Sequence, residues 1–338
     1  MTVYIVTLNN GFFGSAGQSW RSLDIDCMKG AFEAAGFDVV VTIISDLLSF
    51  SFREDDVVVY TSSEQPVVRG YIKDVMYLVS KRCSIFPSYQ NLMAHENKGF
   101  QQMLRDQWEM LDLQGHYYYD LNDVKESPPF VLKSIDGAGS SGVRLIKSAC
   151  LWKFFCFNKL LPSVPRFFKG LIRRYQLTSS QYSLYEYRYR KFSRVVVQEF
   201  VSDVKFDYKV LFFYDKFYVL RRGVKPNDFR ASGAGMLSFP VSDVPDVVFD
   251  LALKVVGLLD TPIASLDIIC KNGRANLVEF QVTNFGPKAL IDSPGYFVKQ
   301  TQGWSFVSCK SDLNHEISRS FVLFVKEKSR LNRDCFFS

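Results

Sequence analysis

A lysine followed by a loop of small residues is the first feature of this chain that could do chemistry. Lys133 ends an apolar run, and residues 137–142 read Gly-Ala-Gly-Ser-Ser-Gly before a second apolar run begins at Val143. Glycines let backbone N–H groups approach phosphate oxygens, and the lysine supplies a positive charge. The sequence therefore predicts a lid hairpin over about 129–147 that folds over phosphates. It is not a P-loop, because the lysine precedes the glycines. An ordinary surface turn is the alternative.

Two acids interrupt a second pair of apolar runs, near the end of the chain. Asp267 lies within residues 263–270 and Glu279 within residues 274–280, with a turn expected at 271–274. A carboxylate in such a strand is costly unless a cation offsets its desolvation. Gln281 shares a strand face with Glu279, so the three side chains could direct oxygen ligands at one Mg²⁺ site. Two edge-strand acids that face solvent are the alternative interpretation.

Cationic side chains lie between these two features. Arg221, Arg222, Lys225 and Arg230 surround a polar loop over residues 227–233. Arginine at this point could neutralise charge on a phosphoryl group during transfer. Ordinary solvated arginines would give the same pattern.

The elements that must position these residues are of mixed α/β type, the class α/β (α+β). Strand patterns alternate with helical patterns over the first 90 residues, which indicates a mostly parallel sheet. The later strand patterns form antiparallel hairpins. The expected strands are 3–7, 39–44, 57–60, 194–201, 208–214, 216–222, 263–270 and 274–280, and the expected helical stretches are 22–35, 67–81, 91–115, 245–258 and 313–328.

Taken in order, these features resemble the ATP-grasp superfamily over about Asn91 to Val325. Within it the chain is most similar to the glutamate-adding ligases of the ribosomal-protein-modifying type, whose DFRSN-like stretch is mirrored by Asp228-Phe-Arg-Ala-Ser232. The resemblance implies an ATP-grasp domain over 91–325, preceded by a Rossmann-like pre-ATP-grasp domain over 1–90 and followed by a tail over 326–338. It further implies ATP and two Mg²⁺ ions, with Mn²⁺ as a substitute.

The resemblance also implies a role for each matching residue. ATP would be held by side chains and backbone of the lysines, the lid, the hinge strand and the ribose region, namely Lys98, Lys133, Gly137, Gly139, Ser140, Ser141, Gly142, Gln198, Glu199, Phe200, Val201, Asp207, Lys209 and Ser232. Lys209 stands where the family often has arginine. Arg222 and Arg230 would be catalytic, and Asp267, Glu279 and Gln281 would bind the metal ions.

The chemistry implied is ligation of a carboxylate to an amine through an acyl phosphate. The acid could belong to a small molecule, a peptide or a surface glycan. Three departures from the family bear on the metal and phosphate sites: Gln281 stands where asparagine is usual, residues 282–287 replace small residues and Pro-Gly, and Ala231-Ser232 replaces Ser-Asn. Asn284 could take over the missing amide role. A degenerate nucleotide-binding or scaffold protein, or an ATP-grasp kinase, are therefore the alternatives.

The remaining signal is a basic, aromatic insert over residues 151–194. The whole chain has a net charge of +6. This segment alone carries ten basic side chains and a single acid, Glu186. It predicts two short amphipathic stretches, residues 152–161 and 166–174, that either pack on the domain core or contact an anionic membrane or lipid-linked acceptor. Nucleic acid is not favoured, because no recognised motif accompanies the charge. Scattered cysteines and the absence of an 18-residue apolar run lead us to expect a cytoplasmic protein, with peripheral membrane contact as an option.

Overall fold

The structure is a computed structural model that describes residues 1–18, 20–135, 142–160, 164–224 and 236–336. Within them the strands are β1 Thr2–Thr7, β2 Asp38–Ile43, β3 Val57–Tyr60, β4 Ser84–Phe86, β5 Gly115–Tyr118, β6 Phe130–Ser134, β7 Val143–Ile146, β8 Val195–Glu199, β9 Phe206–Phe213, β10 Lys216–Gly223, β11 Leu237–Ser238, β12 Ile263–Lys271, β13 Arg274–Gln281, β14 Tyr296–Gln300 and β15 Gly303–Val307. The α-helices are α1 Ile25–Ala34, α2 Pro66–Val79, α3 Tyr89–Ala94, α4 Lys98–Gln107, α5 Ala149–Leu160, α6 Val164–Gln176, α7 Ser179–Tyr189, α8 Asp246–Leu259, α9 Lys288–Asp292 and α10 Leu313–Phe336.

The chain forms two compact units. The first combines residues 1–101 with residues 202–338, and the second consists of residues 102–201. The domain boundary expected near residue 90 stays a prediction.

A parallel sheet opens the first unit, in the strand order β2-β1-β3-β4. Its central strands are continuous apolar runs because helices cover a parallel sheet on its faces. The helix expected over 22–35 is α1, which begins after Asp24, whose carboxylate accepts a hydrogen bond from the Cys27 N–H. The α/β prediction for this region is confirmed.

The larger sheet of the first unit is antiparallel, with the order β13-β12-β9-β10-β14-β15 and β11 beside β10. Both expected hairpins form. The β12–β13 turn places Asn272 at φ 51° and Gly273 at φ 72°. Left-handed backbone at two successive residues is what a tight hairpin turn needs, and Asn-Gly adopts it at low cost.

One apolar core joins both sheets of the first unit to α10. Ile5 of β1 and Phe213 of β9 pack in the same cluster as Phe321 and Val325 of α10. The helix continues to Phe336, beyond the end expected at 328. Residues 329–336 contain neither glycine nor proline, so nothing in them stops a helix.

The helical stretch expected over 91–115 is divided in two. Helix α3 ends at Ala94, and Glu96 takes a left-handed conformation with φ 50°. Asn97 then caps α4, since its side-chain oxygen accepts a hydrogen bond from the Phe100 N–H at 3.1 Å. Lys98 is consequently the first residue of α4, as the sequence indicated.

The second unit contains an antiparallel sheet in the order β5-β8-β6-β7. The lid hairpin is present as β6 and β7. Phe130, Leu132 and Val197 face one side, where Trp152 and Phe155 of α5 pack on them. Lys133 and Gln198 lie at the alternating positions and therefore point to the opposite side.

The basic insert forms α5, α6 and α7, rather than two short stretches. Among the described residues of these three helices, the side chains that pack in the core cluster of the second unit come from α5. Among the described helices of the whole chain, none is both long enough and apolar enough to cross a membrane.

We expect Gly295→Ala to destabilise the fold by about 1–3 kcal/mol, because an added methyl group overpacks the start of β14. A Cβ at this position would lie 2.0 Å from the backbone oxygen of Val307, which cannot move independently of β15. Urea unfolding measures the change. Gly257→Ala in α8 is the control, since its Cβ would meet nothing within 4 Å and should stabilise the helix by up to about 1 kcal/mol.

Candidate active site

A row of charged side chains crosses one face of the large antiparallel sheet in the first unit. Arg222 lies opposite Asp207, Lys209 lies opposite Asp267, and Asp267 lies opposite Glu279. Directly opposed residues of an antiparallel pair point to the same face. Four neighbouring strands thus bring these five side chains together.

Asp267 is the centre of this row. Its carboxylate accepts from Lys209 Nζ at 3.3 Å and from Arg222 Nη2 at 3.0 Å. Burial favours the neutral acid, but the two cations outweigh it and hold the pKa of Asp267 below its usual range. The side chain is therefore ionised at neutral pH.

Arg222 also holds Asp207 in a bidentate pair. Its Nε and Nη2 donate to the two carboxylate oxygens of Asp207, each at 2.6 Å. Burial raises the pKa of Asp207, and Arg222 opposes that shift. Although burial alone would lower it, the two aspartates raise the pKa of Arg222. The guanidinium is therefore fixed between two acids in a planar fork geometry.

Glu279 pairs with the first residue of α4. Lys98 Nζ lies 3.5 Å from Glu279 Oε1, and the lysine side chain is buried. The sequence indicated both residues but not this contact, which links the start of α4 to β13.

The orientation of the Gln281 amide follows from its hydrogen-bond partners, a backbone N–H that can only donate and carboxylate oxygens that accept. Its oxygen accepts from the Glu96 N–H at 3.4 Å and faces His95 Nδ1 at 2.9 Å. Its nitrogen lies 3.4 Å from both Glu96 Oε1 and Glu279 Oε1. The nitrogen, not the oxygen, therefore points at the carboxylates.

His95 and Glu96 are site residues that sequence reasoning missed. Burial lowers the pKa of His95 to about 4, so the imidazole is neutral. Its Nδ1–H donates to Gln281 Oε1, because an amide oxygen can only accept. Burial raises the pKa of Glu96, an effect that Lys98 opposes and Glu279 reinforces. The available signal was their position directly before Lys98, between two helices.

Asp267 and Glu279 are the carboxylates of the charged row nearest to the proposed Mg²⁺ ligand Gln281. Among the described residues no group of three or more His, Cys, Asp or Glu side chains gathers as a metal site. Asp267 and Glu279 nevertheless occupy opposed positions on adjacent strands. Mg²⁺ commonly takes one or two carboxylates and completes its shell with water and phosphate oxygens. Two carboxylates at opposed positions are as many as such an ion commonly takes.

The remaining described candidates belong to the second unit. Lys133 and Gln198 are buried on the same sheet face, and Glu199 ends β8 as an exposed residue just before Phe200 and Val201. Gly142 closes the lid hairpin, where its oxygen accepts from the Ser134 N–H at 3.0 Å. Its φ of 74° and a Cβ that would meet Ser134 Oγ at 1.9 Å require glycine. Gly137, Gly139, Ser140, Ser141, Arg230 and Ser232 lie outside the described residues.

Two loops of the first unit meet beside the parallel sheet. Gly14 follows β1, and its N–H donates to Thr61 Oγ1 at 3.0 Å. A small, mostly apolar cavity there is lined by this loop, by residues 282–285 and by Pro287. Loops after parallel strands often line ligand crevices.

Comparison with known proteins identifies the fold. No protein-family profile and no curated protein sequence matches this chain. Solved structures do: D-cycloserine synthetase DcsG is 13% identical with a TM-score of 0.54, covering 96% of this chain and 100% of that one. ATP-grasp ligase PsnB, in complex with a minimal precursor, is 12% identical with a TM-score of 0.53 over 95% of this chain and 98% of its own.

A third structure agrees. The ADP complex of PurK, an N5-carboxyaminoimidazole ribonucleotide synthetase, is 12% identical with a TM-score of 0.51, covering 87% of this chain and 73% of that chain. The chain therefore has the ATP-grasp fold, with an N-terminal Rossmann-like sheet. The fold predicted from the order of the sequence motifs is confirmed.

Proposed function

We propose that this protein is an ATP- and Mg²⁺-dependent ligase that joins a carboxylate to an amine. The charged row of Arg222, Asp207, Lys209, Asp267 and Glu279 is the observation that carries the proposal. Two cations and three acids on one sheet face, with Lys98 of α4 paired to Glu279, form a strongly polar surface. Such a surface is costly to build unless it meets a charged ligand. Its occurrence in an ATP-grasp fold favours ATP phosphates.

Asp267 and Glu279 would hold Mg²⁺, the first released from Lys209 and the second from Lys98. Held by these carboxylates, Mg²⁺ would supply Lewis-acid stabilisation of the charge on the transferring group. The released lysines would then be free to contact phosphate oxygens. A second ion would need Gln281 to turn its amide oxygen toward Glu279, and Mn²⁺ would be able to replace Mg²⁺.

The reaction would proceed in two steps. A substrate carboxylate oxygen attacks the γ-phosphorus of ATP, the bond to ADP breaks, and an acyl phosphate forms. The amine then attacks the acyl carbon, phosphate leaves, and the nitrogen loses a proton to give the amide. The chain would contribute alignment and charge neutralisation rather than a nucleophile.

Arg222 is suited to stabilise developing negative charge, because its position is fixed by two acids. Arg230 and Ser232 would act on the terminal phosphates. Lys133, Gly137–Gly142 and the backbone of Gln198–Val201 would enclose the nucleotide and adenine, and Asp207 would lie near the ribose. These roles follow the superfamily pattern.

The substrates are an acid and an amine of small-molecule, peptide or glycan origin. DcsG is named as a D-cycloserine synthetase, and PsnB was solved with a precursor peptide. Both substrate types therefore occur on this fold. A uronic acid of a surface or lipid-linked glycan is the third option, suggested by the basic insert.

A nucleotide-binding protein without ligase activity is the second candidate. The Gln281 amide favours it, since the nitrogen that faces Glu96 and Glu279 cannot ligate a cation. An ATP-grasp kinase would share the first step and lack the amine.

Incubation of the purified chain with ATP, Mg²⁺ and pools of acids and amines tests these candidates. Phosphate release is followed by colorimetry and products by mass spectrometry. We expect release that requires both an acid and an amine, and a product whose mass is their sum less one water. Tight ATP binding without turnover would contradict the ligase proposal. A phosphorylated acid that is formed without an amine would indicate the kinase.

A further inference from the structure

The apolar face of α6 is exposed within the described part of the chain. Five large apolar side chains recur at helical spacing along it and are between 43% and 90% exposed: Phe167, Phe168, Leu171, Ile172 and Tyr175. Residues at i, i+3, i+4 and i+7 form one stripe of a helix. A monomeric soluble domain rarely leaves such a continuous apolar stripe in water.

The polar face of the same helix is basic. Arg166, Lys169 and Arg173 project opposite the stripe, and Arg174 flanks it. Among the described residues, no carboxylate lies within ion-pair distance of these four side chains. The helix thus combines a wide apolar face with a cationic face.

The surrounding insert has the same sign of charge. Residues 151–194 hold ten basic side chains and one acid, Glu186. In α7, Leu184 and Tyr187 are exposed as well, at 70% and 57%. Apolar and cationic exposure therefore extends beyond one helix.

We propose that α6 lies in the headgroup region of an anionic lipid bilayer, with its apolar stripe inserted and its basic side chains on the phosphates. Interfacial helices have this combination of an apolar face with aromatic residues and a Lys/Arg-rich polar face. Each basic side chain near an anionic leaflet adds to the attraction. The proposal is independent of ligase chemistry.

The charge and the apolar area of the insert together favour an anionic bilayer over a second copy of the chain or a nucleic acid. A second copy would bring together two inserts of the same strong positive charge, which repel each other. Nucleic acid would satisfy the arginines, but it offers no apolar interior for Leu171 and Ile172. An anionic bilayer satisfies both faces at once.

Co-sedimentation of the full chain with vesicles tests the proposal. One set is phosphatidylcholine alone, and the other contains phosphatidylglycerol in addition. We expect binding to the second set only, weakened by high salt because the attraction is electrostatic.

Two double variants separate the faces. Phe168→Ser with Ile172→Ser should lower binding to anionic vesicles about tenfold or more, because the inserted area is lost. Arg173→Glu with Arg174→Glu should also lower it about tenfold or more through charge reversal. The matched controls are Val67→Ser, an 85% exposed apolar residue of α2, and Arg82→Glu, an exposed cation after α2; both should bind as the wild type does.

Other outcomes overturn the proposal. These are no binding to anionic vesicles, equal binding to neutral vesicles, or undiminished binding by the Phe168/Ile172 variant. A dimer in sedimentation velocity that the Phe168/Ile172 variant dissociates would assign the stripe to a second copy. ADP affinity should stay unchanged in all four variants. Failure of the membrane proposal can therefore be distinguished from failure of the ligase proposal.

Discussion

Glu279→Gln is expected to remove the Mg²⁺ dependence of nucleotide binding and to lower turnover by about 10²-fold or more. The substitution keeps the size of the side chain but deletes the charge that would hold Mg²⁺. A metal at a transferring phosphoryl group is worth several kcal/mol, which is two or more powers of ten in rate. Calorimetric titration with ADP, in Mg²⁺ and in EDTA, measures the first effect without knowledge of the substrates. Phosphate release measures the second once an acid and an amine are found.

Glu316→Gln is the matched control for that variant. Glu316 pairs with Lys216 in the same unit as Glu279 pairs with Lys98, and each pair joins one buried and one partly buried side chain. Both substitutions should therefore lower the melting temperature to a similar extent. Only Glu279→Gln should change the ratio of ADP affinities with and without Mg²⁺. An unchanged ratio in Glu279→Gln would refute the metal assignment.

The position of Glu279 beside Asp267 depends on a feature that the sequence did not reveal. The Asn272-Gly273 turn pairs Lys271 with Arg274, and continued regularly it would pair Asp267 with Val278. Glu279 would then point to the other face. A β-bulge between Asp267 and Ile268 shifts the register by one residue and brings the two acids opposite each other. Such a bulge has no simple sequence signature.

Contacts distant in sequence were equally inaccessible. Gln281 was expected to offer an oxygen to a metal, on the spacing of Glu279 and Gln281 alone. Its orientation is set by the Glu96 N–H and by His95, about 185 residues earlier in the chain. Spacing along one strand predicts the face of the sheet but not which partners other elements bring there.

Local patterns, by contrast, predicted the elements well. The lid hairpin and the β9–β10 pair follow from apolar alternation and turn residues. The charged residues that were predicted to act together, Asp207, Arg222, Asp267 and Glu279, lie on one face of the large antiparallel sheet. The helices of the insert were under-counted because their apolar residues are exposed, so their pattern does not report a core.

Lys133→Met is the second large effect, an expected loss of about 10- to 100-fold in ATP affinity. Lys133 is buried at the strand end that leads into the lid, on the sheet face away from the apolar cluster of the second unit. A hydrogen bond from a charged donor is worth about 1.5–3 kcal/mol, which corresponds to that loss. Methionine retains the apolar stem, so the sheet should stay folded. Calorimetric titration with a non-hydrolysable ATP analogue measures the change.

Arg144→Met supplies the matched control from the same hairpin. Arg144 lies opposite Leu132, so it projects from the other face of the sheet, where its guanidinium is 5.7 Å from the centre of the Phe155 ring. The Arg144→Met substitution removes the same charge from the neighbouring strand and leaves the sheet face that carries Lys133 unchanged. ATP affinity should therefore stay at the wild-type value. Equal losses of ATP affinity in both variants would show that the effect is one of general electrostatics. Wild-type affinity in Lys133→Met would contradict the assignment of this lysine to the phosphate site.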